Sequence, residues 1–307
     1  MKAAFNKGNI YRDRINLDAE AICSWYAKRW PHSSISDWQQ RLNSGEIRCN
    51  GAYWEWHRPP WLEEAVPDKW SIIYNNNDLL IINKPSGLPV LPAGGFMEHS
   101  LLKLLEKQYQ GDKYGLPRPV HRLGRFTSGL LVCARKSCSR AWLSALLRDH
   151  GGQQGCCKIY RALLQIPASG SALLDLQPEL ALELNTAIGQ RPHRRLGSIW
   201  AAAIEQKGPG VLQASSQLQL LQKQADAWLV QFTITTGRPH QIRIHAAAAG
   251  APLVGDPLYQ VGGTASDALP GEGGYQLHAH RLVLPLANGE ELKLEAPLPK
   301  KLELINT

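Results

Sequence analysis

The chain has 307 residues, is 44% hydrophobic and 20% charged, and carries a formal net charge of +8. That is an ordinary globular composition, enough for one large domain or a medium domain plus a small module. No apolar run is long enough to span a bilayer, and the opening MKAAFNKGNIYRDR has no secretory apolar core, so we expect a soluble, non-exported, non-membrane protein.

Residues 1–16 read as a tail and 17–57 as a small module. LDAEAICSWYAKRW predicts an amphipathic helix stopped by Pro31. Ser36 opens a second helix with Gln39 as its capping-box partner, and Ile35, Trp38 and Leu42 fall on one helical face. Gly45 ends it, and Asn50-Gly51 predicts a hairpin within EIRCNGAYWEW. Seven of the ten tryptophans lie in the first seventy residues. Three prolines make residues 58–69 a linker, because proline cannot sit in a helix interior.

The second domain spans residues 70–305. WSIIYNNNDLLIINKPSGLPV predicts strand, turn, strand and a Pro/Gly loop; SLLKLLEKQY predicts a helix, and LLVCAR a buried strand. Ser137 caps a further helix whose Arg140 and Arg148 share a face. Residues 167–225 are weakly patterned. WLVQFTIT and QLHAHRLVLPL predict strands, with a helix in GRPHQIRIHAAAAG between them. Many strands and few helices make the fold class mixed α+β.

The positive charge is local. Between Arg118 and Arg161 stand nine basic residues and one acid, Asp149. Such a field attracts polyanions, RNA or DNA being the usual ones. The six cysteines, Cys23, Cys49, Cys133, Cys138, Cys156 and Cys157, form no Cys-x-x-Cys pair and read as free thiols of a reducing compartment. His240, His245, His278 and His280 invite a metal reading, but the five-residue step of the first pair is wrong for one helical face and no acid or cysteine accompanies them. GRFTSGL is no phosphate loop, lacking Lys-Ser/Thr after its last glycine.

Two resemblances follow. RLNSGEIRCNG resembles the core of an S4 domain, a small RNA-binding module, which implies Arg41 and Arg48 as phosphate contacts. NKPSGLPV, HRLGRFTSGLL, CKIYRALL and GRPHQIRIHAAAAGAPLVGDPLY, in this order and spacing, resemble the RluA family of RNA pseudouridine synthases, most of all its plant and cyanobacterial members with His-Arg-Leu-Gly-Arg. The resemblance implies a mixed and antiparallel-sheet catalytic core behind the S4-like α/β module. The implied reaction detaches uracil from C1′ of a flipped uridine, turns it and rejoins it through C5, with no metal or organic cofactor. It implies that Arg122 holds the site open, that Tyr160 packs on the target base, and that Arg243 pairs with a catalytic aspartate. Thr127, Gly129, Leu258, Leu277 and His278 would line the pocket, and Arg122, Arg125, Arg140, Arg148 and Lys158 would hold RNA.

The family's aspartate position is Gly124 here. Glycine has no side chain to act as nucleophile or ion-pair partner. The implied function is therefore a synthase acting on ribosomal or transfer RNA with a carboxylate from elsewhere, Asp149, Asp256 or Glu98. The alternative is a catalytically inactive RNA-binding protein on a synthase core. A monomer is expected, in the cytoplasm, or in an organelle if the source is a plant.

Overall fold

Residues 1–149, 156–204, 210–286 and 289–305 are described in a computed structural model of the chain. The first 16 residues are not a tail: they hold β1 (Ala4–Phe5) and β2 (Asn9–Arg14). β2 alternates half-buried and exposed side chains, the period-2 signature of a strand, and pairs antiparallel with β4 (Tyr53–Arg58). Before β4 come α1 (Ala19–Arg29), α2 (Ile35–Asn43) and β3 (Ile47–Asn50). Asp18 caps α1 by accepting from the amides of Glu20 and Ala21. Ser34, not Ser36, caps α2, in a reciprocal box with Asp37, not Gln39. The earlier register wins because Asp37 supplies a charged acceptor for the Ser34 amide. It also leaves Ile35 exposed, so Trp38 and Leu42 form the buried face.

The tryptophan-rich start is explained by packing. Tyr26, Trp30, Trp38 and Trp56 lie with ring centroids 4.9–5.5 Å apart in an aromatic core with Ile22, Cys23, Ile47 and Trp54. A module this small needs large side chains to bury enough apolar area. The linker also carries structure: β5 (Leu62–Glu63) pairs with β1.

The remainder comprises a ten-stranded mixed sheet, a separate two-stranded hairpin and helices. Its elements are β6 (Ser71–Asn75), β7 (Leu79–Lys84), α3 (Leu101–Gln108), β8 (Arg118–Pro119), β9 (Thr127–Ala134) and α4 (Ser137–Asp149). Then come β10 (Cys157–Leu164), β11 (Ala181–Leu184), β12 (Ile188–His193), β13 (Gly197–Ala202), β14 (Ser216–Lys223), β15 (Trp228–Ile234), α5 (Gln241–Ala248), β16 (Leu277–Pro285) and β17 (Glu291–Glu295). The strand order is β11-β14-β15-β10-β16-β9-β7-β6, with β17 also on β16 and β8 also on β9; β12 and β13 form a separate hairpin. Among the described residues five α-helices accompany it, so the class is α+β.

Every pairing in the large sheet is antiparallel except β9 with β16, where Thr127–Gly129 run beside Leu277–Ala279. This parallel seam joins two cores, one under β7 and β9, the other under β10, β14 and β15, and Tyr160 packs against both. Gly129 has φ +102°, and a β-carbon there would collide with the Ala279 carbonyl. Only glycine lets the two strands approach so closely. Because both strands run the same way, the segments entering them, 121–126 and 270–276, lie side by side at one end of the seam.

Candidate active site

That end is where three of the motif segments, those of Lys84, Gly124 and Arg243, meet. The Asn83-Lys84-Pro85 loop is clamped to the His121–Phe126 loop. Lys84, fully buried, donates to the carbonyls of Pro85, Leu88 and Arg125 at 2.8–3.0 Å, and burial pushes its pKa down to about 7. Three carbonyls match the three protons of an ammonium. The Gly87 amide donates to Arg125 O at 2.9 Å and the Ser86 hydroxyl to Phe126 O at 2.9 Å.

From the other side, α5 brings Arg243. Its Nε and Nη2 donate to the two oxygens of Asp256, each at 2.7 Å, and its Nη1 to Pro270 O at 3.2 Å. The side chains are 3% and 0% exposed. Burial is the largest influence and opposes the charge on Arg243, but the Asp256 hydrogen bonds and charge, with Tyr275 and Tyr259 beside it, together outweigh it, so its pKa lies above the usual arginine value. Asp256 Oδ1 also accepts from the amides of Leu258 (2.9 Å) and Tyr259 (3.4 Å), so the carboxylate is fully engaged. The guanidinium lies over two rings, 4.2 Å from Tyr275 and 5.0 Å from Tyr259.

Before α5, His240 has φ +54°, the left-handed region, unusual for a residue with a side chain. The Tyr259 hydroxyl donates to Trp200 O at 2.7 Å and meets His240 Nδ1 at 2.6 Å, so that nitrogen carries the proton. Burial, with Arg243 and Arg122 nearby, depresses His240 to about pKa 3. It stays neutral at any ordinary pH.

Gly124 is half-exposed, and its missing side chain is replaced in space. A β-carbon there would collide with the Tyr275 hydroxyl, which also receives a bond of 3.4 Å from Thr127 Oγ1. Tyr160 is half-buried on β10 and lines a small pocket with His121, Leu130, Leu147 and Lys158; burial raises its pKa. His121, the one apparent general base of its loop, accepts from the Val132 amide at 3.0 Å through Nε2. Burial and the Lys158 charge hold it down at about 4.

The predicted residues separate accordingly. Gly124, Thr127, Gly129, Arg243 and Asp256 converge, joined by Leu277 in the core beneath. Leu258 belongs to an adjoining apolar cluster, and His278 is buried with Nδ1 on the Ser128 hydroxyl at 2.8 Å. Lys158 requires correction as an RNA contact: it is 6% exposed, donates to Leu147 O at 2.5 Å, and is pushed by burial to about pKa 8. Arg125 is mostly a staple, bound to Glu64 (2.7 Å), Gly87 O and Gly271 O. Arg122, Arg48 and Arg148 are exposed, and Arg140 is half-buried against Arg135 O. Arg41 stacks on Trp38 at 4.4 Å. Of the proposed replacement acids only Asp256 reaches Arg243. Asp149 is held by Arg148 and Arg238, and Glu98 is exposed, its amide on Glu63. Neither Tyr275 nor Lys84 stands out in the sequence as a site residue. The only trace of Tyr275 is its place two residues ahead of the Leu277-His278 pair.

No group of three histidine, cysteine or acidic residues able to hold a metal ion occurs among the described residues, and no helix is long and apolar enough to cross a membrane.

Residues 78–248 match the family model described as RNA pseudouridylate synthase. The chain is 39% identical over 300 residues to an uncharacterized RNA pseudouridine synthase of Synechocystis, covering 92% of this chain and 95% of that one. It is 32% identical over 362 residues to RNA pseudouridine synthase 5 of Arabidopsis thaliana, covering 97% and 95%. Among solved structures, human RNA pseudouridylate synthase domain containing 1 shares the fold, with TM-score 0.55 and 23% identity over 78% of this chain and 89% of that one.

Proposed function

The chain belongs to the RNA pseudouridylate synthase family, and from that premise we propose that it isomerises specific uridines of structured ribosomal or transfer RNA to pseudouridine. The observation that carries this reading is the meeting of three motif segments, those of Lys84, Gly124 and Arg243, with Arg243 charge-balanced by Asp256 rather than by the loop. A buried guanidinium left without an anion would be costly. Asp256 removes that cost and keeps the site's cation in place although position 124 is glycine.

The target uridine leaves its stack and its base lies against the Tyr160 ring, with exposed Arg122 at the mouth of the loop. Phosphates either side of it fall to the basic face that includes Arg140 and Arg148. The N-terminal unit, with Arg48 exposed and Arg41 on its aromatic core, supplies a second, S4-like grip. A second reading, RNA binding without turnover, is favoured by one observation: the carboxylate that replaces the loop acid has its oxygens occupied.

Pseudouridine mapping by carbodiimide-dependent reverse-transcription stops, on total RNA from cells with and without this gene, separates the two. A stop that disappears on deletion is the expected result and identifies the RNA. An identical map with RNA still retained by the purified chain would establish the binder instead.

A further inference from the structure

We propose that the Tyr275 hydroxyl is the catalytic oxygen facing the target ribose in this chain; the proposal rests on the synthase reading above. The oxygens around Gly124 can be taken in turn. Both oxygens of Asp256 are engaged, accepting from Arg243, Leu258 and Tyr259. The Tyr259 hydroxyl donates to Trp200 O and receives His240. The Thr127 hydroxyl is turned toward Tyr275. Tyr275 remains. Its hydroxyl stands in the space a side chain on Gly124 would fill; Gly124 is half-exposed, and Tyr275 itself is 1% exposed. It accepts from Thr127, but among the described residues no acceptor takes its own proton. A buried phenol normally has one.

The setting suits a nucleophile. The Arg243 guanidinium lies 4.2 Å from the Tyr275 ring centroid, where it stabilises negative charge as that charge develops on the phenolic oxygen. Tyrosine is an established alternative to a carboxylate at anomeric carbons in glycoside hydrolysis. The step balances without a co-reactant. The phenolic oxygen bonds to C1′ as the C1′–N1 bond breaks, and its proton passes to uracil N1. The free uracil turns, C5 bonds to C1′, and the C1′–oxygen bond breaks with its electron pair returning to Tyr275. That oxygen takes the proton lost from C5.

The test uses the full chain and total RNA from a strain lacking the gene, with conversion read by carbodiimide-dependent stops. Tyr275→Phe keeps the ring and its contact with Arg243 and removes only the oxygen. We expect conversion at least about a hundredfold slower, with filter retention of RNA and melting temperature unchanged. A folded Tyr275→Phe chain that converts at the wild-type rate overturns the proposal. Should that variant not fold, wild-type turnover quenched in acid and digested decides the matter. A ribonucleotide mass on the peptide carrying Tyr275 is expected, and its absence while product accumulates overturns the assignment. A wild-type chain that converts no uridine sinks the synthase reading and this one with it. Wild-type conversion alongside a fully active Tyr275→Phe chain sinks only this one.

Discussion

Gly124 and Tyr275 occupy one volume, and that makes them a single unit rather than a loss and a bystander. Gly124→Ala should be destabilising by about 1–3 kcal/mol, because the added methyl meets a buried ring that has little room to retreat. In a Tyr275→Phe background most of that penalty should vanish, since the next obstacles to the methyl stand at 3.4 Å. Urea unfolding of the four chains checks this; equal penalties in both backgrounds would mean the two positions do not share space. The glycine itself was legible in HRLGR, but its partner was not, because 151 residues separate them and nothing in the local pattern predicts the parallel seam. Arg243 and Asp256 lie closer in the chain, and both were named as candidates, yet their pairing had to await the turn after α5. Lys158 shows a different failure. A lysine in a basic run reads as surface, although the alternation of Lys158, Tyr160, Ala162 and Leu164 along β10 places it on an inward face.

At the level of elements, local periodicity revealed most helices and strands, and missed those whose reason is tertiary. The strands of GSIWAA and SQLQLLQK were lost in a weakly patterned region, and β1 exists only because β5 lies beside it. The decisive element is the seam between β9 and β16. It sets the two loop segments next to each other, and it depends on Gly129. Gly129→Ala places a methyl on the Ala279 carbonyl in a left-handed backbone, so the strands must part. The expected cost is about 3 kcal/mol or more, accompanied by faster hydrogen exchange at the amides of 127–129 and 277–279. Unchanged protection there would mean that the seam tolerates a wider spacing and that the site does not rely on it.

At the scale of the whole molecule, a buried carboxylate is among the contacts that tie the N-terminal unit to the rest, beside those of Arg58, Trp61 and Glu64. Glu63, 1% exposed on β5, accepts from Asn6 Nδ2 at 2.6 Å and from the amides of Met97, Glu98 and His99 at 2.8–3.2 Å, just ahead of α3. It therefore joins the chain's first residues to the loop that opens α3, across a stretch that reads in sequence as a mere linker. Burial alone would raise its pKa, but these donors more than offset it, and the group ends below the usual glutamate value. A folded pKa below the unfolded one, about 4.3, means the carboxylate contributes fully above that value and that its contribution is lost as pH falls through the folded pKa. Glu63→Gln keeps the shape but sets an amide NH₂ against donors, so it should lower the melting temperature at neutral pH. The gap from wild type should then narrow as pH falls into the acid range, where wild-type Glu63 protonates too. Thermal melts of both chains across that range check the sign: a gap that stays constant, or widens in acid, would show that Glu63 acts through its shape and not its charge.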